Sequence, residues 1–295
     1  MVFFDQFLLV ISEGLIFALF SIGVYLSFRW LRFPDLTPDG SFVVGACTFA
    51  AAVNAGFTPV SSMILAFVAG ALSGIVTGIL NRLVRIPPVI AGLLMSIALY
   101  SISWKILGKP NQFLDVSQTI VGDFQGPKYN LILLSYLVFA VAFSLIFLNF
   151  FAETIWGLRI RAVGENPLIG RQFTKREDWY HVLLLGLSNA IVSMAGALFL
   201  QRSFSADINM GVGQTIVGLV GMIIGLMLSG NTRRIWLIIL FIALGSILNK
   251  AVMFITLELG LPAELFRLTS ASVLVILFFV MRTRDLDLMK NIRWN

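Results

Sequence analysis

Few residues in this sequence have the types and spacing that catalysis or metal binding requires. His181 is the only histidine and Cys47 the only cysteine, so a histidine metal cluster, a thiolate cage and an intrachain disulfide are all excluded. The sequence also lacks the GxxxxGK(S/T) phosphate loop, the HExxH metal motif and the GxSxG nucleophile turn. We therefore predict no catalytic residue, no metal and no cofactor. Any ATP that drives this protein is expected to bind another chain.

The composition is that of a protein embedded in lipid. Hydrophobic residues make up 58% of the 295 residues and charged residues only 12%, with a mean hydropathy of +0.94. Soluble domains carry about 25% charged residues, so this much apolar surface requires a membrane. The net charge of +6 does not predict a nucleic-acid partner, because Lys and Arg accumulate on the cytoplasmic loops of membrane proteins. We predict an all-α polytopic membrane protein surrounded by lipid.

The elements that position the remaining polar residues are predicted from hydrophobic length. About 20 residues of helix cross the hydrocarbon core of a bilayer. Nine apolar segments are predicted transmembrane helices, one of them short. They lie near residues 5–28, 40–54, 60–83, 87–107, 129–151, 181–202, 211–230, 233–257 and 264–282.

The distribution of positive charge predicts the orientation of these helices. With the amino end outside, most of the 21 Lys and Arg residues fall on inner loops, as the positive-inside rule requires. The carboxyl end, with a tail at 283–295, is then inside. The first basic residue is Arg29, so no signal-peptide leader is expected. The basic loops are therefore expected on the cytoplasmic side of the membrane.

The short segment at 40–54 follows a stretch that must interrupt the helix. Residues 33–41 contain two prolines and a glycine, so the first helix ends before them. Asp39 or Ser41 is a candidate cap for the next helix, and we expect Asp35 and Asp39 to cap at the inner membrane surface. The short helix can cross only if its polar approach is buried in protein.

Two halves of the chain resemble each other. Asp35-Leu36 before Gly40 resembles Asp207-Ile208 before Gly211, and Ser12-Glu13-Gly14 resembles Ser188-Asn189-Ala190. Helices one to four then match helices six to nine, and the fifth helix between them inverts the second unit, a layout found in transporters. The single transmembrane domain therefore divides into a first repeat, a connecting helix, a polar elbow, a second repeat and a tail, at about 5–107, 129–151, 153–180, 181–282 and 283–295.

The charged and amide residues within apolar segments are the candidates for a translocation path. Glu13 either bonds to a neighbouring helix or lines a water-filled path, and both readings stay open. Lys250 is expected to extend toward the outer interface rather than to contact substrate. The predicted path residues are Glu13, Asn189, Asp207, Asn209 and Gln214. An ion-coupled secondary carrier that uses Glu13 and Lys250 is the alternative function, whereas an intramembrane enzyme lacks any paired nucleophile and base.

The elbow at 153–180 is the longest polar interval of the chain. Its helical potential is expected to break at Gly157, Gly164 and Pro167, with a turn at 164–167 followed by a short helix that begins at Pro167. A loop of this length in a compact protein usually has a function. We favour a protein partner for it over a position on the lipid surface.

The elbow also carries a family resemblance. Residues 157–167, GLRIRAVGENP, resemble the cytoplasmic signature of ABC-importer permeases of the branched-chain amino acid and ribose type. The stretches that narrow this resemblance to the tryptophan/tyrosine import permeases are 34–42, 86–94, 98–102, 207–213 and 214–219. The resemblance covers nearly the whole chain.

The resemblance implies a transport machine of several chains. It implies two permease chains, expected here as a homodimer, two cytoplasmic ATPase subunits, and an extracytoplasmic binding protein that delivers a small solute such as an aromatic amino acid. It also implies a coupling helix in a groove of the ATPase. The residues it assigns to this coupling are Arg159, Arg161, Gly164, Glu165, Asn166, Pro167 and Arg171. Residues 174–180 are more charged than is usual in the family.

Overall fold

A computed structural model describes residues 2–122, 128–165, 177–230, 232, 234–260 and 265–283. The α-helices in these ranges are α1 (Val2–Tyr25), α2 (Pro38–Asn54), α3 (Pro59–Arg82), α4 (Pro88–Leu107), α5 (Lys128–Glu153), α6 (Ile155–Glu165), α7 (Glu177–Ser203), α8 (Gln214–Ser229), α9 (Ile235–Glu258) and α10 (Phe266–Thr283). The end of α1 continues as a π-helix, Leu26–Trp30, and a 3-10 turn lies at Val116–Gln118. Two short strands, β1 (Asn111–Phe113) and β2 (Ser205–Asp207), pair antiparallel.

The all-α, multi-pass prediction is confirmed, and a helix lies at each of the nine predicted segments. Within the described ranges, six helices are long and apolar enough to cross a membrane, so nine crossings remain a prediction. The helix at the predicted segment 211–230 is shorter than expected, since it has only 16 residues and begins at Gln214. Turns occupy the residues before it, and Gly213 adopts a φ of 79°, which favours glycine.

The bundle has two ends that can be told apart by their contacts. At one end β1 pairs with β2, the Gln118 amide donates to Asn54, and the Gln6 amide donates to Glu258. We call this the β end. At the opposite end α6 packs on the last residues of the π-helix and on α7. We call this the α6 end.

Two helices form the centre of the bundle. In α1 and α7 most residues of the apolar window are buried, 72% and 78%, against 28% in α4 and 22% in α5. Helix α1 packs against α7, α8 and α9, and α7 packs against α1, α2 and α3. Small residues permit this contact: a methyl group at Gly14 would meet Ile247, and one at Gly74 would meet the carbonyl of Leu185. Close backbone approach is the usual basis of helix association in lipid.

Candidate functional site

Two short helices meet with their amino ends inside the bundle. Helix α2 runs from Pro38 to the β end, and α8 runs from Gln214 to the α6 end. At 1.5 Å per residue each is about 25 Å long, less than the thickness of the hydrocarbon core. Their amino ends are close because the Asp39 carboxylate accepts hydrogen bonds from Gly213 N at 2.9 Å and from Thr215 N and Oγ1, both at 2.6 Å. We call this meeting point the helix junction.

At the helix junction a carboxylate compensates the partial positive charges of two helix amino ends. Each helix amino end carries a partial positive charge, and two such ends facing each other would repel. The Asp39 carboxylate lies between them and bonds to the first turn of α8. The expectation that Asp39 or Ser41 caps its own helix at the membrane surface is therefore wrong, since Asp39 bonds to a helix from the other half of the chain. Residue 211 is a glycine for lack of space, because a methyl group at this position would collide with the carbonyl of Asp39.

A buried polar network holds the chain that leads into α2. We call residues 31–37, between the π-helix and α2, the connecting segment. The Asp35 carboxylate accepts from Thr37 N at 2.9 Å and from the Asn189 amide at 2.9 Å, and the Asn189 carbonyl oxygen accepts from Ser41 Oγ at 2.7 Å. The Thr37 hydroxyl bonds to that of Thr77 at 2.9 Å.

All five side chains of this network are buried from solvent. Asp35 is thus not a surface cap, contrary to expectation, but a buried acid tied to α7. The network fixes the connecting segment between α3 and α7, and it satisfies polar groups that would otherwise be costly inside the bundle.

The structure separates the predicted path residues into four groups. Asn189 belongs to the buried network. Asp207 and Asn209 form a local turn, in which the Asp207 carboxylate accepts from Asn209 N at 2.6 Å. The Gln214 amide bonds to the Met210 carbonyl at 2.9 Å, next to the helix junction. A continuous path through all of them stays a prediction.

Glu13 forms the fourth group together with Lys250. The Lys250 ammonium lies 3.3 Å from the Glu13 carboxylate and 3.8 Å from the centre of the Phe17 ring. The two side chains are only 13% and 31% exposed, so the expected extension of Lys250 to the outer interface is wrong. The ion pair forms because Glu13 offers the ammonium a partner inside the bundle. Of the two readings of Glu13, an acid bonded to a neighbouring helix agrees with this contact.

The described residues of the elbow are 153–165, which include α6, and 177–180 at the start of α7. Arg159 donates to the Tyr180 hydroxyl at 2.9 Å, and Arg161 donates to the Ala152 carbonyl at 2.8 Å. The expected breaks at Gly157 and Gly164 are wrong, because both residues lie within α6. They are glycines for lack of space: a methyl group would collide with the Phe151 carbonyl at Gly157 and with the Trp30 carbonyl at Gly164.

The other predicted coupling residues are only partly covered. Glu165 is the last residue of α6, whereas Asn166, Pro167, Arg171 and the short helix expected from Pro167 lie outside the described residues. The sequence reasoning missed Trp30, Thr77 and Thr215. Nothing in the sequence around Thr77 or Trp30 indicates the contacts that these residues make. Thr215 directly follows Gln214, which is one of the predicted path residues.

Comparison with known proteins assigns the chain to a family. The family described as "Branched-chain amino acid transport system / permease component" matches residues 6–281. The chain belongs to this family of transport permeases. The resemblance to ABC permeases drawn from residues 157–167 is thereby confirmed, and the permease is a multi-pass membrane protein of a transport system.

The relatives of the permease come from several transport systems. It is 30% identical over 269 residues to the tyrosine transport system permease protein of Clostridioides difficile (strain R20291), covering 90% of this chain and 88% of that one. It is 26% identical over 204 residues to the autoinducer 2 import system permease protein LsrC of Yersinia pseudotuberculosis (serotype O:3, strain YPIII), covering 67% of this chain and 55% of LsrC.

A solved structure has the same fold. The structure of PsaBC from Streptococcus pneumoniae in complex with Fab contains a chain that matches the permease with a TM-score of 0.54. The match covers 97% of this chain and 94% of that chain, at 14% sequence identity. At this identity the likeness concerns the fold alone.

Proposed function

We propose that this permease is the membrane-spanning subunit of an ATP-binding-cassette importer for a small solute, with an aromatic amino acid as the first candidate. One observation carries the mechanism. Helix α6, which contains most of the family signature, packs on the backbone of Trp30, directly before the connecting segment that leads to the helix junction. The similarity to a tyrosine transport system permease protein supports the choice of solute.

The proposed assembly has a cytoplasmic ATPase at the α6 end and an extracytoplasmic binding protein at the β end, with a second copy of the permease. The orientation is supported by the basic residues at the α6 end, which include Arg82, Arg159 and Arg161, because positive charge accumulates on the cytoplasmic side. The amino end is then outside, the carboxyl end inside, and the location is the bacterial cytoplasmic membrane.

We also propose that α1–α4 and α7–α10 form the inverted repeat, with α5 and α6 between them. The support is a pair of reciprocal contacts. Asp39 and Thr215, which bond at the helix junction, are 176 residues apart. The same separation relates Phe20 to Gly196 and Phe42 to Gly218, and the Phe20 ring packs on Gly218 while the backbone of Phe42 packs on Gly196. A two-fold relation through the helix junction accounts for all three contacts.

In this mechanism the junction and the α6 end move together. Closure of the ATPase dimer displaces α6, the two repeats tilt about the helix junction, and the solute site opens alternately to either side. ATP supplies the differential affinity for the two states that such a shift requires. The protein needs no catalytic residue of its own for this role.

The elbow provides the test of the proposed function. Replacing Gly164 with tryptophan places a large side chain where the structure has no room for a methyl group, so α6 must move away from Trp30. We expect solute-stimulated ATP hydrolysis by the reconstituted complex to fall about tenfold or more, a typical loss of coupling between two sites. Leu72→Trp, which adds the same side chain at an exposed position of α3, is the matched control and should leave the stimulation unchanged.

Two results would contradict the importer. The first is unchanged stimulation of hydrolysis by Gly164→Trp and by Glu165→Arg at the end of the same helix. The second is uptake by the permease alone in liposomes under a pH gradient, which would favour an ion-coupled carrier that uses Glu13 and Lys250.

A further inference from the structure

The chain between α1 and α2 is bent sharply and then held on all sides. After the π-helix Leu26–Trp30, Arg32 adopts a φ of 51°, which is uncommon for a residue other than glycine and marks a strained position. Phe33 N then donates back to the Ser27 carbonyl at 3.0 Å. A π-helix is itself most often found at functional positions.

Trp30 is the residue at which α6 contacts this bend. The Trp30 ring lies parallel to the Phe151 ring, with centroids 6.3 Å apart, and meets the Tyr25 ring edge-on at 6.4 Å. The Arg161 guanidinium of α6 lies 5.7 Å from the centre of the indole ring. Gly164 of the same helix packs on the Trp30 carbonyl without space for a methyl group. Helix α6 therefore contacts both the side chain and the backbone of Trp30.

The connecting segment is closely packed between Trp30 and the helix junction. Its residues Leu31, Phe33 and Asp35 are buried. Gly92 of α4 packs on the backbone of Leu36, so the segment is also covered from that side. Close packing on both sides, together with the hydrogen bonds of Asp35 and Thr37, leaves the segment little room to deform. A displacement of Trp30 must consequently be absorbed at the next place that can rearrange, which is the start of α2 with Asp39.

We propose that Trp30 is a positioning residue that transmits movement of α6 through the connecting segment to the helix junction. This inference rests on the proposed function, because it needs an ATPase that moves α6. It adds a specific route to that function: the ATPase-facing helix acts on the start of α2 through one aromatic side chain. The route has the form required of a physical coupling, a rigid contact at one end and a rearrangeable junction at the other.

The test separates coupling from folding. The permease is reconstituted in liposomes with its ATPase and its binding protein, and both solute uptake and ATP hydrolysis are measured. With Trp30→Leu we expect hydrolysis to continue while uptake per ATP falls about tenfold. Trp30→Phe retains a ring that can stack on Phe151 and should restore most of the uptake. Trp236→Leu removes a partly exposed tryptophan at the same end of the bundle and should leave both rates unchanged.

The results that would contradict the role of Trp30 differ from the result that would contradict the proposed function. Unchanged uptake per ATP in Trp30→Leu would overturn the inference, as would a parallel loss of hydrolysis, uptake and thermal stability, which would show a purely structural role. Should Trp30→Leu fail to fold, Phe151→Leu removes the stacking partner instead, and the same ratio decides the question. If the unaltered complex shows no ATP-driven uptake, the proposed function itself fails and the inference fails with it.

Discussion

Replacing Asp39 with alanine is expected to destabilise the permease by about 3 kcal/mol, because two helix amino ends would then face each other without a counter-charge. The carboxylate accepts three hydrogen bonds from Gly213 and Thr215. A hydrogen bond between membrane helices contributes roughly 0.6–1.7 kcal/mol, and bonds to a charged group are stronger than neutral ones. Thermal unfolding in detergent should show a decrease of roughly 5–10 °C in the midpoint.

Two further variants at the helix junction decide whether the charge matters. Thr215→Val removes one hydroxyl and keeps the backbone donor, so we expect a loss of about 1 kcal/mol. Asp39→Asn keeps an acceptor oxygen but removes the charge, and should fall between Thr215→Val and Asp39→Ala. Equal stability of Asp39→Asn and the unaltered protein would contradict the electrostatic account. Glu153→Ala, which removes an exposed acid, controls for the loss of a carboxylate as such.

The helix junction illustrates which parts of the fold follow from the sequence. Hydrophobic length predicts the position of each helix, because lipid forces the backbone to satisfy its own hydrogen bonds. The proline-rich stretch at 33–41 and the turn at 207–213 predict the interruptions. Neither pattern predicts that the two interrupted helices meet, since Asp39 and Thr215 are 176 residues apart. Their meeting is visible only in the hydrogen bonds of the structure.

Gly157 and Gly164 show why a local rule failed. Glycine costs about 1 kcal/mol in a helix interior relative to alanine, so the sequence predicts breaks at both positions. In the structure each glycine lies against a backbone carbonyl that no larger residue can approach. Packing thus outweighs the propensity at both positions. The packing partner of Gly164, Trp30, is far away in sequence, whereas the partner of Gly157, Phe151, is only six residues away. A glycine in a membrane protein is ambiguous between a break and a contact until its partner is known.

Lys250 was mispredicted for a related reason. A lysine near the end of an apolar helix extends to the interface when it has no partner at its own depth. Glu13 lies on a different helix, so its distance from Lys250 cannot be read from spacing along the chain. The intramembrane position of both charges was evident from the sequence, but the pairing was not.

The ion pair of Glu13 and Lys250 is the basis of the second large expected effect. Removing one partner, with Glu13→Gln or Lys250→Met, leaves an uncompensated charge inside the bundle and should destabilise the permease by roughly 3–5 kcal/mol. In Glu13→Gln the Lys250 ammonium loses its carboxylate partner but keeps the Phe17 ring, whose centre lies 3.8 Å away. This ring offsets only part of the cost, since a cation–π contact contributes about 1–2 kcal/mol. Thermal unfolding of the two single variants measures both costs.

The double variant Glu13→Gln/Lys250→Met should recover most of the lost stability. Replacement of a whole buried ion pair by neutral residues is often close to neutral, so the double-mutant cycle should give a coupling energy close to the sum of the two single losses, about 6 kcal/mol or more. Additive losses in the cycle would show that the two groups do not interact, contrary to their distance of 3.3 Å. Ser12→Ala, which removes the hydroxyl that accepts from Arg202, tests whether the neighbouring polar contact contributes separately.

The same double variant decides between the two transport mechanisms. A carrier that moves protons or ions through Glu13 cannot work once the residue is neutral, because no titratable group remains at that position. An importer driven by ATP has no such requirement, since its energy enters at the α6 end. We therefore expect the double variant to retain ATP-driven uptake at close to the unaltered rate. Loss of uptake in a double variant of normal stability would assign the pair to the transport step and would favour the ion-coupled carrier.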